Sequence, residues 1–186
     1  MIKSLFSSNF WPVMLRLFLV FAVSGLAACA SPAEVQNMTV SPNQLESRVA
    51  SSQFSGALEI SKINGGESTN PLWTSEVSNA AFKKALRDSL QNTGLMSAGS
   101  AAKYGVEATL SQLDQPLIGF DLTVNSMVNY RVFEKASRQT VFDESVTASH
   151  TATFSDAAFA IQRLRFANEG SIRENIRNFI NRLLER

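Results

Sequence analysis

The sequence predicts an α+β domain built as a two-layer sandwich, in the order β-α-β-β-β-α, with an antiparallel four-stranded sheet carrying two helices on one face. Three observations lead there. Between Phe120 and Val132 the apolar residues Phe120, Leu122, Val124, Val128, Tyr130 and Val132 alternate with Asp121, Thr123, Asn125, Asn129 and Arg131, the period of a half-buried strand. Phe82, Ala85, Leu86, Ser89, Leu90 and Thr93 recur at helical spacing. Near the C-terminus, Ala157, Ala158, Ile161, Leu164, Ile172, Ile176, Phe179, Ile180 and Leu183 share one helical stripe.

Composition excludes several function classes. The 186 residues are 45% hydrophobic and 18% charged, ordinary for one globular domain with its own core. Lys and Arg number 17 against 16 Asp and Glu, so no basic excess exists to bind nucleic acid by counterion release. A single Cys and a single His cannot build a zinc site, a disulfide framework or a redox pair. No cofactor and no metal are expected.

The elements follow in order. Lys3 and Arg16 are the only charges before Glu34, and Leu17 to Leu26 is an apolar run of signal-peptide length, too short to span a bilayer, which takes about 20 residues. Ala30 to Gln53 is rich in Ser, Asn, Gln and Pro without sustained periodicity, the composition of a flexible tether. Phe54, Leu58 and Ile60 then alternate with Ser55, Glu59 and Ser61 as a first strand that Asn64-Gly65-Gly66 ends. That Gly-Gly lacks the Lys-Ser/Thr of a phosphate loop and the spacing of a dinucleotide turn, so no nucleotide is expected.

Thr74 or Ser75 is placed to cap the first helix with Glu76 in its first turn, and Gly94 with Leu95 forms a Schellman-type stop. Tyr104, Val106, Ala108 and Leu110 alternate with polar residues as the next strand, interrupted at Asp114-Gln115-Pro116. After the long strand from Phe120, residues 134–139 make a polar connection to a strand through Phe142, Val146, Ala148 and Ala152, with Glu144 and His150 on the same parity. Ser155 or Asp156 would cap the last helix, with a shorter pair broken near Gly170 as the alternative, since Gly inside a helix costs about 1 kcal/mol against Ala.

The end of the apolar leader carries a specific motif. Leu26-Ala27-Ala28-Cys29 resembles the lipobox of bacterial lipoproteins. The resemblance implies cleavage after residue 28, a thioether from Cys29 to diacylglycerol, and an acylated amino terminus, so that the membrane is a partner through the lipid anchor. Ala30 and Ser31 after the Cys, in place of Asp, imply outer-membrane sorting facing the periplasm. The expected organisation is therefore a signal peptide over 1–28, a lipidated N-terminus and flexible tether over 29–53, and one α+β domain over 54–186.

Lipobox, tether and element order together resemble small Gram-negative outer-membrane lipoproteins with an LptE-like or YajG-like fold. The LptE family plugs and assists the lipopolysaccharide-assembly barrel, and YajG-type proteins have no settled role. Pro71-Leu72-Trp73-Thr74 and the segment from Arg163 to Gly170 resemble uncharacterised lipoproteins of this layout. Auxiliary lipoproteins of lipid-transport ABC systems share the Trp-then-helix feature. The resemblance implies a non-enzymatic lipoprotein that binds or assists an envelope protein or lipid, and it supplies no catalytic residues.

The residues themselves offer three further candidates. Arg165, Asn168 and Asn175 interrupt the apolar stripe of the last helix and must find partners or lie at a groove; with Glu144 on the strand face toward that helix, Glu144, Arg165 and Asn168 suggest a buried polar network. Phe159 and Phe166, flanked by Arg163 and Arg173, suggest a docking strip for protein or lipid, with burial under the tether or Trp73 as the competing reading. Asp114, Asp121, Asp143, Glu144 and Asp156 are the carboxylates an envelope hydrolase would use. His150 has no usable nucleophile beside it, because Ser149 faces the other side of the strand.

Overall fold

The computed structural model of the chain describes residues 31–46, 49, 52–66, 76–99, 101–116 and 118–186. The leader, Cys29, and Pro71 to Ser75 lie outside them. The described elements are α1 (Val35–Met38), β1 (Leu58–Asn64), α2 (Asn79–Asn92), β2 (Tyr104–Asp114), β3 (Leu122–Glu134), β4 (Thr140–Ala152) and α3 (Ala160–Leu184), with a 3-10 turn over Pro42–Gln44 between α1 and β1.

The four strands lie side by side in sequence order. The sheet is mixed: β1 pairs parallel with β2, whereas β2–β3 and β3–β4 are antiparallel. A fully antiparallel sheet is therefore incorrect, for a topological reason. The helix between β1 and β2 carries the chain back to the end where β1 began, so the second strand must run in the same direction. The long alternation in β3 holds from Leu122 onward, with Leu122, Val124, Ser126, Val128, Tyr130 and Val132 all buried.

Local chemistry sets the helix ends. Ser78, not Thr74 or Ser75, caps α2: its Oγ accepts from the Ala81 amide at 3.2 Å. Val77 before the cap and Phe82 in the first turn are both buried in the core, a hydrophobic staple. At the other end the Leu95 amide donates to Leu90 O at 2.8 Å and the Gly94 amide to Gln91 O at 3.0 Å, with Gly94 at φ 75°, the Schellman ending expected from the sequence.

α3 starts after Phe159, not at Ser155 or Asp156, and is unbroken at Gly170. The Asp156 carboxylate instead closes the preceding turn, accepting from the Thr153 amide at 2.6 Å.

The largest departure concerns residues 29–53. Among the described residues of that stretch, 33–45 are a strap in the helical layer. α2 packs on β1 and α3 on β3 and β4, leaving the two helices barely in touch, and α1 contacts both. Met38 and Val40 are completely buried in the main core. Polar ties accompany them: the Val40 amide donates to Ser89 Oγ at 2.9 Å on α2, and the Glu46 amide to Asn181 Oδ1 at 3.2 Å on α3. The polar composition hid this because a few apolar side chains without a regular period, Met38 and Val40 foremost, and a few backbone donors suffice to seal the gap.

If the strap is core, Met38→Ala will lower stability by about 2–5 kcal/mol, the usual loss for a fully buried Met. Chemical denaturation measures it, and a change below about 0.5 kcal/mol, typical of an exposed position, would contradict the packing.

Candidate functional site

α3 runs back along β4, and this antiparallel arrangement decides which polar residues meet. A strand rises about 3.3 Å per residue and a helix 1.5 Å. Glu144, near the start of β4, therefore lies opposite the C-terminal end of α3, where it pairs with Arg182 at 3.3 Å and with Arg186. Arg165, in the first turns of α3, pairs instead with Glu34 at 3.1 Å and Glu169 at 3.6 Å. The expected network of Glu144, Arg165 and Asn168 is thus not one cluster. Asn168 is fully buried on α3, far along the helix from Glu144.

At mid-helix the interface is polar: Asn175 finds the partners that its place inside the apolar stripe requires, and Ser171 and Ser126 join it, which the sequence did not reveal. Ser171 Oγ donates to Ser126 Oγ at 2.8 Å, and Asn175 Nδ2 donates to Val146 O at 2.8 Å. These groups stitch α3 to β3 and β4. Below them Tyr130 stacks on Phe179 with ring centroids 4.0 Å apart, and Phe142 meets the same ring edge-on.

Between the strap, the first half of α3 and the end of β4 lies an open cleft of about 500 Å³, lined by Asn37, His150, Asp156, Phe166, Glu169 and Arg173 among others. Glu169 is its deepest charge, 2% exposed. Its carboxylate accepts from the Glu34 amide at 2.7 Å and from Asn37 Nδ2 at 2.9 Å. Burial pushes its pKa up, opposed by those two hydrogen bonds and by Arg165.

His150 faces the cleft, and burial, then the Arg173 charge, holds its pKa below the ordinary value against the opposing charges of Glu174 and Asp156. Arg173 Nη1 donates to Asn37 O at 2.9 Å. Most of the cleft's ionic groups are thus committed to holding the strap. Gly170 forms the floor: a Cβ there would lie 2.1 Å from the His150 ring, so helix and strand can approach only because the side chain is missing.

The carboxylates considered for hydrolysis are dispersed in the same manner. Asp121 accepts from the Phe154 amide at 3.1 Å, Asp114 from Gln112 at 2.7 Å, and Asp156 closes its own turn. Among the described residues no group of three His, Cys, Asp or Glu side chains could hold a metal ion, and no helix is long and apolar enough to cross a membrane.

The structure separates the four residues of the suggested docking strip. Phe159 is 66% exposed ahead of α3. Phe166 is half-buried against a small second core of Leu122, Val124, Ala152, Leu164 and Ala167. Arg163 is buried, donating to Ala157 O at 2.7 Å and Ala158 O at 2.9 Å, and Arg173 serves the strap.

Sequence reasoning missed the companions of Phe159. Ile118, Phe120 and Phe154 are also exposed, in the two loops that meet at the same end of the sheet. Phe120 fits the alternation of β3 and so looks like core. Pro116 and Gly119 around it are the available signals of a loop.

The sequence matches no protein family and no curated protein. Solved structures are similar. A protein from Caulobacter crescentus CB15 described as a putative lipoprotein superposes with a TM-score of 0.50 at 14% identity, over 71% of this chain and 90% of that one. A Xanthomonas campestris protein of the family DUF330 gives 0.52 at 10% identity, over 69% and 84%. A hypothetical protein of Chlamydia trachomatis gives 0.50 at 12% identity, over 69% and 95%. The likeness is one of fold: the chain is an α+β protein of the same architecture.

Gly170→Ala is expected to cost about 1–3 kcal/mol by overpacking, although Ala is the better helix former. The double variant Gly170→Ala/His150→Ala removes the overlap and should recover most of that loss. Denaturation of the two variants checks it, and a Gly170→Ala protein as stable as the parent would show that the ring moves aside freely.

Proposed function

We propose that this chain is a lipid-anchored lipoprotein of the bacterial cell envelope that binds or assists an envelope component without catalysis. The observation that carries the reading is the lipobox Leu26-Ala27-Ala28-Cys29 at the end of a basic and apolar leader, closely followed by a packed domain. Ala33 is already buried in the core, so only Ala30 to Pro32 separate the anchor from folded chain.

The short spacer changes what such an anchor is for. A flexible tether of roughly 24 residues would span about 25–30 Å, enough to carry a domain away from the membrane. Three residues instead hold the domain against the bilayer. A partner is then met at the membrane surface, in keeping with outer-membrane assembly or lipid transport as the setting. Ala30 and Ser31 after the Cys support the outer membrane as the address. The Caulobacter protein of similar fold is described as a putative lipoprotein, which supports the class. An LptE-like or YajG-like role is the finer form of this proposal, and an auxiliary subunit of a lipid transporter is its alternative.

Cys29→Ser removes the sole thiol of the sequence. Expressed in a Gram-negative host, the variant should stay as unprocessed precursor or soluble protein and take up no labelled palmitate, while the parent is labelled and fractionates with outer membrane. Palmitate on the variant would refute the anchor. Crosslinking of intact envelopes followed by purification of the parent tests the partner, and recovery of no envelope protein or lipid above background would count against the binding role.

A further inference from the structure

The described exposed large apolar side chains do not lie scattered. Ile118 is 89% exposed, Phe120 84%, Phe154 57% and Phe159 66%, and all belong to the β2–β3 and β4–α3 connections. Leu122 pairs with Ala152, which brings the two connections together at one end of the sheet. The Phe154 amide donates to Asp121 Oδ1, beside Phe120, at 3.1 Å. The Arg163 guanidinium lies 5.2 Å from the Phe154 ring centroid, and its own amide donates to Phe159 O at 3.1 Å. One apolar tip results, braced from beneath by Arg163.

The strap decides what that tip faces. Glu34 is tied to Arg165 and Glu169, which lie only about 9 and 15 Å along the helix axis from Phe159. From Glu34 back to Cys29 the fully extended chain reaches at most about 18 Å. The opposite end of the molecule, at the β3–β4 turn containing Ser137, lies a full β4 length away, about 40 Å from Thr140 to Ala152. A membrane anchored at Cys29 is therefore within reach of the tip and out of reach of the far end.

We infer that Ile118, Phe120, Phe154 and Phe159 form a bilayer-contacting tip that inserts into the headgroup and upper acyl region of the phospholipid leaflet holding the anchor. The inference rests on the proposed lipidation of Cys29 and adds the orientation of the domain. Asp121 and Asp156 beside the tip are engaged by backbone donors, and Arg163 beneath it is buried. Contact is thus apolar in origin and should be insensitive to salt, unlike adsorption through a basic patch. It also orients the open polar face of the sheet, and the cleft at His150, alongside the membrane normal where a partner in the same leaflet can meet them.

Single-cysteine variants of the mature lipidated protein test this, because the Cys29 sulfur is occupied by the thioether and an introduced thiol is the only one free. Phe120→Cys and Phe159→Cys, with Ser137→Cys as the far-end control, are labelled with an environment-sensitive fluorophore and reconstituted in phosphatidylethanolamine and phosphatidylglycerol vesicles. Lipids carrying a nitroxide near the headgroup should quench the tip probes at least about threefold more than the control, unchanged at about 0.5 M salt. Acylated Cys29 by mass spectrometry with tip probes no more quenched than Ser137→Cys overturns the inference while leaving the anchor intact. Tip probes shielded from aqueous iodide yet untouched by the lipid quencher also overturn it, and assign the tip to a protein contact. Absence of acyl mass on Cys29 removes the anchor and the inference together.

Discussion

A buried carboxylate determines where the chain enters this fold. Glu169 sits almost fully out of water on α3, and accepts hydrogen bonds from the Glu34 amide and the Asn37 side chain. An ionised carboxylate in such a place needs donors, since leaving it unpaired costs several kcal/mol. The strap supplies them, and in return its first residues are held beside the N-terminal half of α3. Met38 and Val40 then complete the seal between α2 and α3. The gap between the helices and the course of the strap are thus consequences of one another.

The same geometry accounts for the two unusual features of the helix interface. Gly170 is tolerated mid-helix because the His150 ring needs its space, and the small, polar Ser126, Ser171 and Asn175 allow close approach while bonding to one another. Toward the N-terminal end of α3 the interface becomes the open cleft under the strap. Toward the C-terminal end it becomes a conventional aromatic core around Phe179. The domain is thus tightly fixed at one end and, at the other, presents a cleft and an apolar tip.

Much of this was legible in the sequence. The alternation in β3, the Schellman ending at Gly94-Leu95 and the C-terminal stripe from Leu164 to Leu183 each follow from residue spacing that has one physical solution, whereas Ala157 and Ala158, counted in that stripe, precede the helix. The parallel pairing of β1 with β2 was also available, from the helix that separates them. Glu144 could have been assigned to Arg182 rather than Arg165 by the different rises of strand and helix. Two features were hidden. The strap has too few apolar residues for any period to register, and Phe120 satisfies the alternation of a strand it does not belong to. Neither error is one of propensity; both depend on partners distant in sequence.

The central claim is that the strap is part of the folded domain, and amide hydrogen exchange of the mature protein tests it most directly. The Val40 amide, bonded to Ser89 Oγ, and the Glu34 amide, bonded to Glu169, should exchange far more slowly than unstructured chain, with Val40 approaching the protection of central β3 amides. Exchange of both at the rate of an unfolded peptide, while β3 stays protected, would return residues 33–45 to a tether and contradict the packed strap.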